Sequence, residues 1–394
     1  QVPFSTEESP FGGTYMPPQV SRTQVFDFCV SELTDLMSSQ SPMLEPRALY
    51  PRADKGAAAG LLARMYLNSE VYTGVPRWAE AKAVCEQIFE MGYALCPDYE
   101  ALFRGDNGEN PDAYNEFLFS AYYDENNAKS WGGGTFLTCA AIGSEERYVM
   151  VKGTNDKGEE VDKPEASRLG VGGGWNGLHV HEHFVNTHFN PTNVTWGENG
   201  TCTIADKRGA YAFFTARREK GDFDTLLNTF AQGYGCWKFN NIPSTVEDQK
   251  DYIDESKKKA YSDIDFPLIR LAEIYLIYAE ACMHLEQKSL AVPYLQELAE
   301  RAGLDKDDVT TGLITQEWLV KERARELYWE GHRRTDLIRY GLYHSDKMLW
   351  PYKGTDAFKG VKFEQYMNVF AIPPTELAAN GALYQNYGYP TPKK

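Results

Sequence analysis

Two stretches of the chain mix small residues with large apolar ones at helical spacing, and each is followed by a second amphipathic stretch. The first pair is KGAAAGLLARMYLNSEVY (55–72) and WAEAKAVCEQIFEMGYAL (78–95). The second pair is FPLIRLAEIYLIYAEACMHLEQ (266–287) and SLAVPYLQELAERAGL (289–304). Because small residues on one helix allow a neighbour to approach closely, both pairs predict helical hairpins that stack on one another.

The two hairpins share a loose Leu/Ala/Tyr pattern that resembles tetratricopeptide repeats. Ser289 is the predicted N-cap of the second helix of its hairpin, Ser21 caps an earlier helix, and a short helix is predicted to begin at Pro373 and Pro374. We therefore expect a mainly α fold with a tetratricopeptide-like helical-hairpin scaffold, an irregular loop-rich region and few short strands. We expect one domain over residues 1–394, with scaffold at 21–95 and 263–341, a loop-rich ligand-side region at 96–262, and a C-terminal tail at 342–394.

The overall charge argues against several classes of partner. The formal net charge is -16 at pH 7, so attraction to nucleic acid or to an anionic lipid surface is not expected. No run of about 18 apolar residues is present, so no transmembrane helix is predicted.

Aromatic residues make up 13% of the chain, more than a helical core needs. Some of these rings are therefore expected to face a ligand or a partner.

The region between the hairpins is rich in Gly, Asn, Asp and aromatic residues. Short strands are predicted in EFLFSAYY (116–123) and YAFFTA (211–216), with loops elsewhere. Loops held on a rigid scaffold commonly carry function, so the binding residues are sought there.

Four motifs follow one another in the C-terminal part of the chain: DFPLIRLAEIYLIYAEA (265–281), ERARELYWEGHRRTDLIR (322–339), FAIPPTEL (370–377) and QNYGY (385–389). Three further motifs are KGAAAGLLARMYL (55–67), GGWNGL (173–178) and DKRGAYAFF (206–214). With these motifs the chain resembles the SusD/RagB family of surface lipoproteins. The resemblance spans essentially the whole chain and implies a SusD-like fold. It also implies an oligosaccharide ligand, a SusC-like TonB-dependent outer-membrane channel as partner, and attachment to the cell outer membrane through an N-terminal lipid anchor that is not present in this chain.

The charged stretch RARELYWEGHRRTDLIRYG (323–341) is interpreted as part of the frame, by which we mean buried charged residues that hold the fold together and bind no ligand. One long helix is predicted over 315–340, and its spacing places charged residues on the same side as Leu319. An i,i+3 pair between Arg323 and Glu326 is expected, with Arg270 reaching Glu326 and Glu330 from a neighbouring element. Buried charges persist only when they are paired. We therefore expect a structural charge network of Arg270, Arg323, Glu326, Glu330, Arg333 and Asp336.

Catalytic and metal motifs find no specific support in the sequence. HVHEH (179–183) would line one face of a strand with three histidines, but a single HxHxH is a weak metal signal. Acidic residues are so abundant that two carboxylates at the spacing of a glycosidase site would occur by chance, so such a pair is no evidence of catalysis. No P-loop or nucleophile elbow is present. We assign no catalytic residue, no metal and no cofactor.

Sugar binding needs flat rings that cover the C–H faces of pyranoses and polar groups that bond hydroxyls. The loop AYYDENNAKSWGG (121–133) supplies both, and Trp196 lies in similar Gly-rich surroundings. Trp175 and Asn176, in the family-typical GGWNGL, are interpreted as structural. The expected ligand-binding residues are Tyr122, Tyr123, Asp124, Asn126, Asn127, Trp131 and Trp196.

Three functions remain open at this stage. The first hypothesis is a non-catalytic surface protein that captures a glycan and acts as the lid of its channel partner. The second is a peptide-capturing RagB-like lipoprotein, because aromatic content alone does not separate peptides from sugars. The third is a helical glycan-cleaving enzyme.

Overall fold

The computed structural model of the protein describes most of the chain. The described residues are 2–10, 12, 15–41, 45, 47–143, 148–216, 218–220, 232–348, 350 and 360–390.

Helices make up most of the regular structure in these ranges. They are α1 (Arg22–Met37), α2 (Lys55–Leu67), α3 (Ser69–Thr73), α4 (Trp78–Phe89), α5 (Pro111–Tyr114), α6 (Gly133–Ala140), α7 (Glu182–Phe189), α8 (Lys207–Ala212), α9 (Ile253–Lys258), α10 (Leu271–His284), α11 (Val292–Arg301), α12 (Gln316–Glu326), α13 (Arg333–Arg339) and α14 (Pro374–Ala379).

The strands are short and pair in twos, always antiparallel: β1 with β2, β3 with β8, β4 with β5, and β6 with β7. The strands predicted within 116–123 and 211–216 are found as β3 and β6, whereas the β4–β5 hairpin was not predicted. Their bounds are β1 (Val2–Pro3), β2 (Gln19–Val20), β3 (Phe117–Ala121), β4 (Tyr148–Thr154), β5 (Glu160–Ser167), β6 (Phe213–Phe214), β7 (Gly235–Cys236) and β8 (Phe266–Arg270).

Local sequence explains where the scaffold helices begin. The Ser21 side chain accepts a hydrogen bond from Gln24 N, and the Gln24 side chain accepts one from Ser21 N. This capping box confirms Ser21 as the N-cap of α1. The Asp54 side chain accepts from Ala57 N and caps α2. Both caps satisfy backbone amides that a helix start leaves without partners.

The main core forms around α10, in which every residue from Leu271 to Cys282 is buried. It packs against α2, α4, α11 and α12. Gly60 lets α2 lie close to β8, the strand that leads into α10, because an added Cβ would lie 2.7 Å from Ile269 Cγ2. The expectation of a mainly helical fold with few short strands is confirmed. The small, fully buried residues that permit the close approach are Ala59, Ala63, Ala81, Ala272, Ala279 and Ala281.

Two expectations about the second hairpin are wrong. Residues 266–270 do not begin the helix but form β8, because they pair with β3 and complete its backbone hydrogen bonds. Ser289 is not the N-cap of α11. A 3₁₀ turn at 288–290 precedes that helix, which begins at Val292 with Pro293 in its first turn.

The single helix predicted over 315–340 is also wrong. α12 ends at Glu326, and the chain turns before α13 begins at Arg333. Within the turn Trp329 has φ +60° and Gly331 has φ +85°, both in the left-handed region that a continuous helix excludes. The turn brings Glu330 back towards the end of α12, so its burial comes from the turn and not from helical periodicity.

Arg270, at the end of β8, is the centre of a buried charge network. Its Nε lies 2.6 Å from Glu330 Oε2, and its Nη1 lies 2.6 Å from Glu326 Oε1 and 2.9 Å from Glu116 Oε1. Lys238 Nζ lies 2.7 Å from Glu330 Oε1. Each of these side chains is at most 1% exposed, so the charges depend on one another for solvation.

Two further arginines converge on Glu326. Arg301 bonds both Glu326 and Glu116, and Arg208 Nη1 lies 2.8 Å from Glu326 Oε2 and 2.6 Å from Glu322 Oε1. Burial alone would raise the pKa of Glu326, but the three surrounding arginines outweigh it and hold the pKa below its usual range. Glu326 is therefore a carboxylate with a cation on each side.

The remaining predicted network members are Arg323 in α12 and Arg333 and Asp336 in α13. Arg323 does not pair with Glu326; its Nε lies 2.9 Å from Asp336 Oδ1, because Glu326 is already surrounded by other arginines. Arg339 Nη2 also lies 2.9 Å from Asp336. Arg333 is half-buried and donates to the carbonyl of Val320 at 3.0 Å, which fastens α13 to α12.

We expect Glu330→Gln to lower the free energy of unfolding by about 3–5 kcal/mol, because Arg270 and Lys238 would be left buried without that carboxylate. Urea unfolding measures the change. Glu317→Gln is the matched control, because Glu317 forms an exposed pair with Lys321 and its loss should leave stability nearly unchanged. Equal stability of the two variants would contradict the structural role of the network.

Candidate functional site

Four aromatic side chains from three segments meet at the protein surface. The centroid of the Trp131 ring lies 4.4 Å from that of Tyr261 and 5.9 Å from that of Trp175. Phe136 lies 6.2 Å from Trp175. Trp131 is 56% exposed, Phe136 45% and Trp175 44%, while Tyr261 is half-buried beneath Trp131. We call these four residues the aromatic platform.

The rings of the platform are tilted against one another. The planes of Trp131 and Trp175 differ by 51°, and those of Trp131 and Tyr261 by 43°. The surface is therefore stepped and not flat, with ring faces and edges open to solvent. Such a surface can hold an apolar or C–H-rich ligand face by contact and carries no reactive group of its own.

Glycines fix the position of Trp131. Gly133 has φ +54°, and a Cβ there would lie 2.4 Å from Tyr123 Oη. A Cβ on Gly134 would lie 3.0 Å from the carbonyl of Ile264. The Gly-Gly-Gly stretch after Trp131 therefore lets α6 begin in close contact with two other segments, and Trp131 stands at that start.

The GGWNGL segment closes the other end of α6. Trp175 N donates to the carbonyl of Cys139 at 2.8 Å, and Asn176 N donates to that of Ile142 at 3.0 Å. The first bond satisfies a carbonyl in the last turn of α6 and the second one just beyond the helix, which agrees with a structural role for the segment's backbone. The Trp175 side chain, interpreted from the sequence as structural, is instead exposed beside Trp131.

The loop before Trp131 presents polar groups to solvent. Asp124 accepts hydrogen bonds from Asn127 Nδ2 at 2.8 Å and Asn126 N at 2.6 Å, and these bonds lower its pKa. Asn126, Asn127 and Tyr122 are exposed. Hydroxyl, amide and carboxylate groups therefore lie on the same loop as Trp131.

Tyr123 and Trp196 are placed differently from the other predicted ligand residues. Tyr123 is half-buried, and its backbone N donates to Asp265 Oδ1 at 2.7 Å, so it supports the loop. Trp196 is half-buried with its ring 4.9 Å from Tyr234, in a cluster separate from the platform. Packing of this kind favours a scaffold role for Trp196.

Sequence reasoning missed Phe136 and Tyr261 and set Trp175 aside. Phe136 had a local signal, since it lies on the first turn of a helix that starts at the WGGG stretch. Tyr261 had none, because 130 residues separate it from Trp131. Only the folded chain shows that these rings belong together.

The structure gives no metal centre in the ranges it describes, where no three or more His, Cys, Asp or Glu side chains are arranged to hold an ion. The three histidines of HVHEH do not share a strand or a helix: Val180 N pairs with Tyr234 O at 2.8 Å, and α7 begins only at Glu182. None of the described helices is long and apolar enough to cross a membrane.

The mainly helical scaffold with few short strands is the fold expected of the SusD-like class, and comparisons with known proteins agree. The SusD family model matches residues 213–389. This chain is 30% identical to the starch-binding protein SusD of Bacteroides thetaiotaomicron over an alignment of 405 positions, which covers 95% of this chain and 67% of SusD. SusD-like protein P25 of Formosa agariphila is 24% identical over 75% of this chain and 52% of its own length. The chain belongs to the SusD family.

Solved structures show the same fold. Surface glycan-binding protein A from Bacteroides uniformis matches with a TM-score of 0.65 at 17% identity, covering 98% of this chain and 72% of that one. Surface glycan-binding protein A from Bacteroides thetaiotaomicron in complex with laminarihexaose matches with a TM-score of 0.62 at 20% identity, covering 94% and 72%. The chain spans nearly three quarters of the length of these two structures.

The different packing of two tryptophans gives a test of this site. We expect Trp196→Ala to lower the free energy of unfolding by about 2 kcal/mol, because half of that side chain is packed against a core cluster. Trp131→Ala should change it by less than about 0.5 kcal/mol, because that ring is mostly exposed. Urea unfolding of both variants measures the difference. The opposite order would contradict the division into platform and scaffold.

Proposed function

We propose that the chain binds an oligosaccharide on the aromatic platform and has no catalytic role. The observation that carries the proposal is the exposed, tilted pair of Trp131 and Trp175 with Tyr261 beneath Trp131. Indole faces pack against the C–H faces of sugar rings, and tilted faces suit a chain that bends from one sugar unit to the next.

Polar groups near the platform support a sugar ligand. The loop that ends at Trp131 carries the exposed amides of Asn126 and Asn127 and the hydroxyl of Tyr122. Lys129 Nζ lies 5.8 Å from the centroid of Tyr261. These groups can donate to and accept from sugar hydroxyls, whereas the rings supply contact area.

Kinship supports the same class of ligand. The relative at 30% identity is a starch-binding protein, which makes a glucose polymer the first ligand to test.

The finer part of the proposal concerns location and partner. We infer that the protein works at the cell surface as an outer-membrane lipoprotein, and that it acts as the lid of a SusC-like TonB-dependent channel during nutrient import. Membership of the SusD family supports this inference. Co-purification of the tagged protein with a channel protein from outer membranes tests the partnership.

We expect Trp131→Ala and Trp175→Ala each to weaken binding of maltoheptaose or laminarihexaose by about tenfold, the loss typical of removing a stacking aromatic anchor. Isothermal titration calorimetry with both oligosaccharides measures the effect. Tyr387→Ala is the matched control, because Tyr387 is 93% exposed on the C-terminal segment and should not change the affinity.

Three results would contradict the proposal. Unchanged affinity in both tryptophan variants would remove the platform from the site. Binding of a peptide panel with no glycan binding would favour peptide capture. Sustained release of reducing ends from the bound glycan, abolished by one Asp or Glu substitution, would identify an enzyme.

A further inference from the structure

The loop that carries Trp131 is fastened to the segment that carries Tyr261 by an exchange of hydrogen bonds. Glu125 N donates to Asp263 Oδ1 at 2.9 Å. In return, the Glu125 carboxylate accepts from Ala260 N at 3.1 Å. Each segment therefore offers a side-chain acceptor to a backbone amide of the other, on both sides of Tyr261 in the sequence.

A lysine joins the two carboxylates of this exchange. Lys259 Nζ lies 2.8 Å from Glu125 Oε2 and 2.8 Å from Asp263 Oδ2. The cation bridges two groups of the same sign, which would otherwise repel each other. We call Glu125, Lys259 and Asp263 the clasp.

The clasp is not part of the buried frame. Its three side chains are 20–25% exposed, whereas the members of the Arg270 network are at most 1% exposed. Partly exposed ion pairs contribute little to global stability. The position of the clasp beside the platform therefore calls for another explanation.

The clasp lies close in sequence to Trp131 and Tyr261, the two rings of the platform that are in closest contact. Trp131 lies six residues after Glu125, and Tyr261 lies between Lys259 and Asp263. The far end of the loop is held to the same segment, because Ser262 N donates to Thr135 Oγ1 at 2.9 Å. Both ends of the loop that carries Trp131 are therefore bonded to the segment that carries Tyr261, and the two ring centroids lie 4.4 Å apart.

We propose that the clasp positions Trp131 and Tyr261 for ligand binding. The inference rests on the proposed function, since it assigns a role within the same site. A ring pair that is already ordered avoids the entropy cost of being ordered by the ligand, so the clasp raises affinity without touching the glycan.

The test combines affinity with a measurement that needs no ligand. Glu125→Ala should weaken maltoheptaose or laminarihexaose binding by about fivefold, the effect of lost pre-organisation, while leaving Tm close to the wild-type value. Glu125→Gln keeps an acceptor for Ala260 N and should recover part of the affinity. Glu255→Ala is the matched control, because it removes a 2.8 Å ion pair with Lys258 on the adjacent helix.

A double-mutant cycle separates positioning from direct contact. Because the clasp is proposed to act through both rings, Glu125→Ala should have no further effect on affinity in a Trp131→Ala/Tyr261→Ala background. Additive losses would instead show that Glu125 contacts the ligand itself, and would overturn the positioning role.

The ligand-free readout is ¹⁹F NMR of 5-fluorotryptophan-labelled protein, with the Trp131 resonance assigned by Trp131→Phe. Glu125→Ala should shift or broaden that resonance, and Glu255→Ala should not. If the resonance responds but neither oligosaccharide binds to wild type, the clasp holds the ring and the proposed glycan function fails. If resonance and affinity are both unchanged in Glu125→Ala, the inference about the clasp is wrong.

Discussion

The Arg270 guanidinium contacts Glu330, Glu326 and Glu116 and so ties three parts of the chain together. A buried arginine is tolerated only where carboxylates replace the water it has lost. Here those carboxylates come from three places: the residue before β3, the end of α12 and the turn after it. Meeting the needs of one cation therefore fixes the relative positions of three elements.

The same requirement extends into the loop-rich region. Arg208 lies in α8 and Lys238 follows β7, and both end on carboxylates of the 322–330 segment. The scaffold and the irregular region thus share a set of buried ion pairs in addition to apolar contacts. Such a set specifies one arrangement strongly, because any other leaves a buried charge without a partner.

The candidate site is held by this frame but lies apart from it. β8, which ends at Arg270, pairs with β3, and the platform loop follows β3 directly. On the other strand, the segment with Tyr261 leads into β8. Asp265 lies in the sequence between Tyr261 and β8. It accepts hydrogen bonds from Tyr50 Oη and Tyr123 N, and burial raises its pKa to about 6. Fixing β3 against β8 therefore brings the two halves of the platform together.

Sequence reasoning succeeded where the signal is local or periodic. The hairpin helices, the Ser21 cap and the approach of Arg270 to Glu326 and Glu330 follow from spacing and from the need to pair buried charge. It failed where distant residues decide the outcome. A left-handed backbone conformation at a tryptophan leaves no mark on the spacing of apolar residues, so periodicity predicts helix straight through the turn at Trp329.

The platform was only half predictable for the same reason. The loop that ends at Trp131 has the composition of a sugar-binding loop, and that signal is local. Its partners Trp175 and Tyr261 lie 44 and 130 residues further along the chain, so their contact is a property of the fold.

The separation of frame and site is tested most directly by amide hydrogen exchange with and without saturating maltoheptaose. We predict slower exchange on binding at residues 122–136, 173–178 and 259–263, with no change at 322–339. Protection at 322–339 with none around Trp131 would contradict this separation and would make the charge network the binding site.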